Sequence, residues 1–209
     1  MIIAHASDLH GDWSLLSTIP EVPDLWVFTG DMMPNATRGH HSVEIPHQTH
    51  WYIKNSWKFL PFLGNAPVLL VPGNHDYADL AVMLHRDGVE AYEVKPHGVV
   101  VNGLRFSGFG NIPLIMGEWN RESTYQELHD LTKRSLDSDP DVLLTHAPPD
   151  GILNGDYKGI GAVTSALANR DHRVRLHLFG HSHEAGGKME HHMGVTFVNS
   201  AQHLQLISL

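Results

Sequence analysis

The stretch Val68-Leu69-Leu70-Val71-Pro72-Gly73-Asn74-His75-Asp76 decides how the whole chain is interpreted. Four apolar residues bounded by Pro and Gly are typical of a buried strand that ends in a tight turn. In an open α/β sheet, ligands bind at the carboxyl ends of the strands. The turn therefore offers an amide, an imidazole and a carboxylate where sites form. Because Asn, Asp and Gly are also ordinary turn residues, the stretch indicates a site only if other strands bring matching residues.

Composition limits both the class of protein and its chemistry. With 209 residues, of which 42% are hydrophobic and 18% charged, the chain is predicted to form one globular domain over residues 1–209. The absence of cysteine excludes disulfides, thiolate metal sites and cysteine nucleophiles, and it fits a reducing compartment. No signal-peptide pattern and no run of about 18 apolar residues is found. We therefore expect a cytoplasmic protein with no membrane partner.

Charge and histidine content point away from polyanions and towards metals. Fourteen basic residues face 23 acidic ones, giving a net charge of −9, so long duplex nucleic acid is not an expected partner. Histidine occurs 18 times, and histidine is the commonest neutral metal ligand. Most of these histidines are expected to be surface or structural residues.

Four other apolar runs end in the same kind of polar residue. They precede Asp8-x-His10, Gly30-Asp31, His146 and Gly180-His181-x-His183. Oxygen and imidazole ligands without sulfur suit Mn, Fe, Zn or Ni, with positions left open for water and substrate. The candidate ligands outnumber what one ion would take, and a dinuclear centre with one bridging carboxylate would use them all. They are Asp8, His10, Asp31, Asn74, His146, His181 and His183.

Each of these motifs alone has an ordinary structural explanation. A single His10 or His146 would more often be a hydrogen-bonded structural histidine, and Gly30-Asp31 alone would be a turn. Their joint occurrence at five strand ends is what favours a metal site.

The remaining pattern predicts mixed strands and helices. A loop is expected over residues 32–48, and its histidines His40, His41 and His47, together with His50 just after it, are predicted to overhang the metals. The Asn102-Gly103 pair predicts a hairpin over residues 98–109. Further predictions are helices over 49–63, 79–85, 123–136 (with a Ser123–Gln126 capping box) and 162–169, a surface loop over 110–118, and strands over 2–4, 25–29, 141–145, 174–179, 195–199 and 204–208.

The five motifs, in this order, resemble the calcineurin-like metallophosphoesterase superfamily. Its pattern is D-x-H, G-D, G-N-H-[D/E], H, G-H-x-H, and the match runs from Asp8 to His183. The resemblance implies an α/β (α+β) fold, a four-layer sandwich of two mixed β-sheets flanked by helices. The metals would lie at the carboxyl ends of the strands.

The resemblance also implies a role for each site residue. One ion would be held by Asp8, His10, Asp31 and His183, and the other by Asp31, Asn74, His146 and His181, with Asp31 bridging. His75 would contact the phosphate and the leaving oxygen rather than a metal. It would either protonate the leaving oxygen as a general acid or stabilise the negative charge of that oxygen. Asp76 would either orient that imidazole or organise the turn.

By the same resemblance, two divalent ions would activate the attacking water. Mn²⁺ is the first expectation, with Fe, Zn or Ni as alternatives. Ions about 3.5–4 Å apart share a bridging hydroxide that attacks the phosphorus in line. Asp31 and His75 are therefore the predicted catalytic residues.

Departures from particular branches of the family narrow the substrate. Met32-Met33-Pro34-Asn35 replaces the acidic-Arg-Gly run of the Ser/Thr phosphatases and the diadenosine tetraphosphatases, and the residues after His183 are not expected to form the extra capping region of the DNA-repair exonucleases. Residues 144–153 resemble a compact branch with H-x-P-P-x-G-x-L that acts on phosphodiesters, including cyclic nucleotides. The resemblance thus implies a small phosphoester partner, most of all a phosphodiester such as a cyclic nucleotide. Base or ribose contacts are expected from Asp156 and Tyr157, and Lys158 is either a third such contact or a solvated surface lysine.

Two other functions stay open. One is a phosphomonoesterase or pyrophosphatase acting on a small phosphorylated metabolite. The other, ranked last because no ligand is eroded, is a non-catalytic protein-binding scaffold. The sequence leaves the oligomeric state undecided.

Overall fold

The computed structural model describes residues 1–20, 22–37, 39–169 and 171–209. The strands, in chain order, are β1 (Ile2–Ala6), β2 (Leu25–Phe28), β3 (Val68–Leu70), β4 (Ala91–Glu93), β5 (Val99–Val101), β6 (Leu104–Phe109), β7 (Ile112–Pro113), β8 (Glu122–Ser123), β9 (Val142–Thr145), β10 (Leu176–Phe179), β11 (Lys188–His192), β12 (Val195–Asn199) and β13 (Leu204–Ser208). The α-helices are α1 (His41–Leu63), α2 (Leu80–Arg86), α3 (Tyr125–Asp137) and α4 (Gly161–Ala168). Short 3₁₀ helices span Ser14–Thr18 and His183–Ala185. Among these helices, none is long and apolar enough to cross a membrane.

The first large sheet has five strands in the order β13-β1-β2-β3-β4. β1, β2, β3 and β4 pair in parallel, while β13 runs antiparallel to β1 at one edge. Because parallel strands end at the same edge of a sheet, the segments that follow β1, β2 and β3 meet there. These are the segments that carry Asp8, Asp31 and Asn74.

The second large sheet has six strands in the order β11-β12-β10-β9-β6-β5. Its centre is parallel, with β10 between β9 and β12 and with β6 beside β9. Antiparallel strands close both edges, β11 against β12 and β5 against β6. His146 and His181 follow the neighbouring strands β9 and β10, so this sheet also delivers its candidate ligands at one edge.

The two sheets pack face to face through alternate residues of their strands. Side chains such as Ile3, Leu69, Phe106 and Leu178 form one buried cluster between the sheets. The opposite faces pack against helices, and those clusters include Trp26 with α1 residues on one side and Phe197 with α4 residues on the other. Strands covered on both faces read as continuous apolar runs, which is why the sequence revealed them. The predicted four-layer sandwich is confirmed.

The predicted hairpin is present between β5 and β6. Its two turn residues, Asn102 and Gly103, have φ values of 51° and 80°. Two successive positive φ angles are the requirement of the tight hairpin turn that Asn-Gly favours.

Helix α1 begins at His41, eight residues before the predicted start, so the prediction of a loop up to residue 48 was wrong. Glu44 and Gln48 are fully buried on the inner face of the helix, where a sequence pattern would place apolar residues. Pro46 also lies inside the helix, although proline normally argues against helix. As a result His41, His47 and His50 lie on the helix, with His40 at its N-cap, rather than on a loop.

Several boundaries and short strands also differ from the predictions. The capping box of α3 is formed by Thr124 and Glu127, one residue later than predicted, with Thr124 Oγ1 accepting from the Glu127 N–H at 3.3 Å. Ser123 belongs instead to β8, which pairs with β7 inside the predicted surface loop. β4 and β11 were not predicted. β11 is exposed along its whole length, so only its backbone pairing with β12 marks it as a strand.

Candidate metal centre

The carboxyl ends of five strands bring the predicted site residues together. Asp8 and His10 follow β1, Asp31 follows β2, Asn74 and His75 follow β3, His146 follows β9, and His181 and His183 follow β10. The structure brings the predicted residues into three overlapping groups of close side chains.

The first group joins Asp8, His10 and His183. One ligand atom from each lies within 4.8 Å of the others. His183 Nε2 is 3.2 Å from Asp8 Oδ1, and the rings of His10 and His183 are 5.5 Å apart. The hydrogen bond to Asp8 raises the pKa of His183, although its partial burial opposes this.

The second group joins Asp31, His146 and His181, and all three are buried. His146 Nε2 is 3.2 Å from Asp31 Oδ2 and 3.3 Å from His181 Nδ1. Asn74 brings a fourth atom to the same point, because its Oδ1 lies 3.1 Å from His146 Nε2. The four side chains therefore face one small volume.

The third group joins His10, Asp31 and His75 and connects the other two. His75 Nε2 lies 3.9 Å from Asp31 Oδ2, and the His75 ring meets the His10 ring edge-on at 4.9 Å. The sequence interpretation placed His75 beside the metals without counting it as a ligand. The position of the His75 imidazole allows it either to bind a metal or to contact the substrate, and an experiment described in the Discussion distinguishes the two roles.

The donor set fits a cation, as the surroundings of His146 demonstrate. Its Nδ1 lies 2.7 Å from the carbonyl oxygen of Thr29, which can only accept, so Nδ1 carries a hydrogen. A neutral ring then points a bare Nε2 at Asp31 Oδ2 and Asn74 Oδ1, which are both acceptors. Burial would lower the pKa of His146, but the charges of Asp31 and Asp8 raise it to about 9. A proton on Nε2 thus sits where a metal ion would satisfy the same atoms.

The backbone of the site is held in an unusual conformation. Asp8, His10, Asp31 and His181 all have positive φ, between 45° and 66°. Such angles cost energy in residues with a Cβ and recur at functional sites, where the surrounding structure enforces them.

Close packing explains the glycine in each of the G-D, G-N-H and G-H motifs. A Cβ on Gly30 would collide with the His146 ring, one on Gly73 with the Asp31 carboxylate, and one on Gly180 with the Asp8 carboxylate. These glycines let the candidate ligands approach the neighbouring strand end.

Outer hydrogen bonds fix the carboxylates. Asp8 Oδ2 accepts from Ser7 Oγ at 2.6 Å and from the His181 N–H at 2.8 Å. Asp31 Oδ1 accepts from the His75 N–H at 2.7 Å. Partners of this kind orient ligands and raise metal affinity.

Asp76 organises the turn, and its described hydrogen bonds go to backbone N–H groups rather than to the His75 imidazole. Its carboxylate accepts from the backbone N–H groups of Asp31 at 2.7 Å, Met32 at 3.0 Å and Gly73 at 2.9 Å. The sequence left two roles open for Asp76, orienting the His75 ring or organising the turn. These contacts support the second role.

Three supporting residues around His75 were missed from the sequence. Its Nδ1 is hydrogen-bonded to Asn35 Oδ1, its backbone oxygen accepts from Gln48 Nε2 at 2.6 Å, and the Trp119 ring lies 4.4 Å away. Asn35 follows Asp31 by four residues, and Gln48 lies in the segment mistaken for a loop, so neither was marked by a motif. The only available signal was the polar character of Glu44 and Gln48 one helical turn apart.

The other predicted substrate-side residues are partly near the site. The Tyr157 ring lies 5.1 Å from the His181 ring, and Lys158 is exposed at a cavity of about 450 Å³ beside the first turns of α3 and α4. The histidines predicted to overhang the metals behave differently. In the described part of the chain, none of His40, His41, His47 and His50 joins a group of metal-ligating side chains, and the His41 ring packs on Tyr77 at 5.0 Å.

A fungal protein and a bacterial protein of known structure are similar to most of this chain. A probable rhamnogalacturonate lyase C of Emericella nidulans is 24% identical over 182 residues, which takes in 82% of this chain but only 16% of that protein. The crystal structure of TT1561 of Thermus thermophilus matches with a TM-score of 0.63 at 17% identity, covering 98% of this chain and 97% of the other. At that identity the structural likeness shows the fold alone.

A family model gives the assignment. The model for calcineurin-like phosphoesterases matches residues 1–185, most of the chain. Members of that family depend on divalent metal ions, and the clustered Asp and His side chains offer candidate groups to hold them. The family predicted from the sequence is thereby confirmed, and the chain belongs to the calcineurin-like phosphoesterase family.

Proposed function

We propose that this protein is a dinuclear metal-dependent phosphodiesterase acting on a small phosphodiester such as a cyclic nucleotide. The observation that carries the proposal is the position of Asp31, which lies in one group with the candidate ligand His10 and in another with His146 and His181. A carboxylate shared between two such groups is the arrangement a dinuclear centre needs.

We assign one ion to Asp8, His10, Asp31 and His183, and the other to Asp31, Asn74, His146 and His181. The contacts of 3.1–3.3 Å among the members of each set support this assignment. Neutral nitrogen and anionic oxygen donors suit Mn²⁺, which we take as the natural ion, ahead of Fe, Zn or Ni. When bound, the two ions supply an activated water and bind the phosphate oxygens.

The chain's own residues then position and protonate the substrate. His75 is about a quarter exposed, so a substrate can reach it, and its Nε2 faces Asp31. From there it can give a proton to the leaving oxygen as the ester bond breaks. The neighbouring rings of Trp119 and Tyr157 flank the site and offer planar surfaces to the ester groups.

The contacts of the candidate ligands are compatible with a diester substrate. Within the described residues, these hydrogen bonds and ion pairs involve no Lys or Arg. A monoester dianion would gain from a cationic side chain at its extra charge, whereas a diester carries a single charge.

The test is turnover of bis-(p-nitrophenyl) phosphate against p-nitrophenyl phosphate, with metal content measured on the same Mn²⁺-reconstituted sample. We expect faster diester turnover and about two ions per chain. Asp31→Ala should abolish turnover, while His129→Ala, which changes an exposed histidine of α3, should not.

Each contrary result has a distinct meaning. Full turnover after removal of metal by a chelator contradicts the mechanism. Faster monoester or pyrophosphate cleavage would favour the alternative hydrolase, and far fewer than two ions per chain without turnover would favour a scaffold. Lyase activity is not proposed, because the alignment takes in 16% of the fungal protein that bears that name.

A further inference from the structure

We propose that Asn35, held in place by Glu44, is a positioning residue that fixes the orientation and the tautomer of the His75 imidazole. The effect on turnover rests on the proposed function, whereas the effect on the tautomer does not. Neither residue belongs to the five sequence motifs.

The orientation of the Asn35 amide follows from its neighbours. Its Nδ2 lies 3.2 Å from Glu44 Oε2 and 3.1 Å from the backbone oxygen of His75. Both neighbours can only accept hydrogen bonds, so the amide nitrogen must face them. The amide oxygen is thereby turned towards His75 Nδ1, and the two atoms are in hydrogen-bond contact.

The tautomer of His75 follows from the amide orientation. Because Asn35 Oδ1 can only accept, His75 Nδ1 must carry a hydrogen in every charge state of the ring. Nε2 is then the nitrogen left free of Asn35, and it is the one that faces Asp31 at 3.9 Å. On the substrate side, a proton passes from Nε2 to the leaving oxygen, which keeps the electron pair of the broken P–O bond. The ring is left as the neutral Nδ1–H form that Asn35 already holds, and solvent returns the proton to Nε2.

Glu44 explains why an amide rather than a carboxylate occupies position 35. The Glu44 side chain is fully buried on α1 and also accepts from the N–H groups of Ala36 at 2.9 Å and Thr37 at 2.6 Å. These contacts hold the pKa of Glu44 below its usual range, although burial opposes this. A second carboxylate beside it would be repelled, whereas the Asn35 amide can donate to Glu44 and accept from His75.

The backbone of His75 is fixed by a neighbouring turn of the same helix. Gln48 donates to the His75 carbonyl oxygen at 2.6 Å and accepts from the Tyr77 N–H at 2.8 Å. Glu44 and Gln48 are one helical turn apart, so α1 supports both the main chain and, through Asn35, the ring of His75. This gives a role to the buried polar face that hid the start of the helix.

The direct test is a long-range ¹H–¹⁵N spectrum of ¹⁵N-histidine-labelled, Zn²⁺-loaded protein, with His75→Ala used to identify the His75 signals. We expect the parent protein to show protonated Nδ1 and unprotonated Nε2 in the neutral ring. Asn35→Leu should give a mixture of tautomers. Thr37→Val is the matched control, because it removes the Thr37 Oγ1 contact with Glu44 at 3.0 Å and leaves Asn35 intact.

Turnover with two leaving groups supplies the second readout. Asn35→Leu should lower kcat for diphenyl phosphate by about 10- to 100-fold, the range for lost outer-shell partners, and lower it less for bis-(p-nitrophenyl) phosphate. The metal content and KM should change little.

A paired substitution keeps the proposal testable if Asn35→Leu does not fold. Asn35→Asp should lose turnover through repulsion by Glu44, and adding Glu44→Gln should restore much of it. An unchanged tautomer in Asn35→Leu, or a double variant no better than Asn35→Asp, overturns the inference. If the tautomer shifts but neither ester is ever cleaved, the inference stands and the proposed function fails.

Discussion

The buried histidines of this protein form two sets, one inside the sheets and one at the strand ends. His5, from the first set, and His146, from the second, have pKa values shifted in opposite directions, and both contact Thr29. The Thr29 carbonyl oxygen accepts from His146 Nδ1 at 2.7 Å, while its hydroxyl is 2.8 Å from His5 Nε2. His5 and His146 are both fully buried. Their positions differ mainly in what surrounds the rest of each ring.

The hydrogen-bond partners of the set inside the sheets, His5 and His177, are hydroxyl groups, and the His177 ring also packs against the rings of Phe179 and Phe197. His5 Nδ1 is 2.8 Å from Ser200 Oγ, and His177 Nε2 is 2.8 Å from Thr145 Oγ1. Burial lowers the pKa of each imidazole to about 3. These two histidines are therefore neutral structural residues.

The set at the strand ends is surrounded by carboxylates. His146 is as buried as His5, yet Asp31 and Asp8 overcome that burial and raise its pKa to about 9. Burial alone therefore does not identify a metal-binding histidine. A carboxylate next to the ring stabilises a positive charge there, either a proton or a metal ion, whereas a neutral hydroxyl group does not.

The largest expected effect comes from removing the charge that separates the two sets. Asp31→Asn should bring the pKa of His146 in the metal-free protein from about 9 to below its ordinary value of 6.5, because burial is then less opposed. It should also lower turnover by on the order of 10³-fold, the scale of losing a preorganised charge. An NMR titration of the histidine rings measures the first effect. A pKa that stayed near 9 would mean that Asp31 does not set it.

The next largest effect is expected from a substitution that adds a methyl group next to the strand-end residues. Gly180→Ala should push the new methyl group into Ser7 and Asp8, which costs on the order of 1–3 kcal/mol and weakens metal binding. Gly161→Ala is the control, since a Cβ there meets nothing within 4 Å and position 161 begins α4. Urea unfolding and metal titration of both variants provide the measurement. Equal losses in the two would contradict the packing argument.

The pH dependence of stability should distinguish the two sets in the metal-free protein. His5 and His177 have folded pKa values of about 3 against 6.5, so their contribution is present above pH 6.5 and lost as the pH falls towards 3. The loss approaches about 1.4 kcal/mol per pH unit for each ring. His146, with a folded pKa of about 9, contributes below pH 6.5 and loses that contribution as the pH rises through 9.

Replacing His177 alone measures its contribution to the pH dependence of stability. His177→Leu should flatten the fall in unfolding free energy between pH 6.5 and 4.5 by about one ring's slope, measured by urea unfolding at several pH values. An unchanged slope would show that His177 is not held neutral in the folded protein.

The smallest expected effect comes from the outer hydrogen bonds of the metal region. Ser7→Ala removes the 2.6 Å bond to Asp8 Oδ2 and should weaken metal affinity by about 10-fold, with the fold intact. Competition with a metal chelator measures this change, and unchanged affinity would show that the other Asp8 contacts suffice.

The sequence predicts the strands, and the polar residues that meet at their ends, for a physical reason. Strands covered on both faces need unbroken apolar runs, so β2, β3, β9 and β10 stand out. The residues after them are grouped because parallel strands end together. The candidate ligands could thus be named from order and spacing.

What the sequence hid depends on partners distant in the chain. The inner face of α1 is polar because Glu44 and Gln48 bind backbone groups at 34–37 and 75–78, which no local pattern reveals. The exposed strand β11 has no apolar face and exists through its pairing with β12. The low pKa of His5 likewise depends on its burial, and the high pKa of His146 on Asp31, and both conditions arise only in the folded chain.

The most direct test of the central claim compares neighbours in one turn, Asn74→Ala and His75→Ala, for metal content and turnover on the same samples. We assign Asn74 to a metal and His75 to the substrate. Asn74→Ala is therefore expected to lose bound metal, whereas His75→Ala should keep both ions and lose turnover, most of all for poor leaving groups. His75→Ala protein that no longer retains its metal would contradict this assignment and make His75 a ligand.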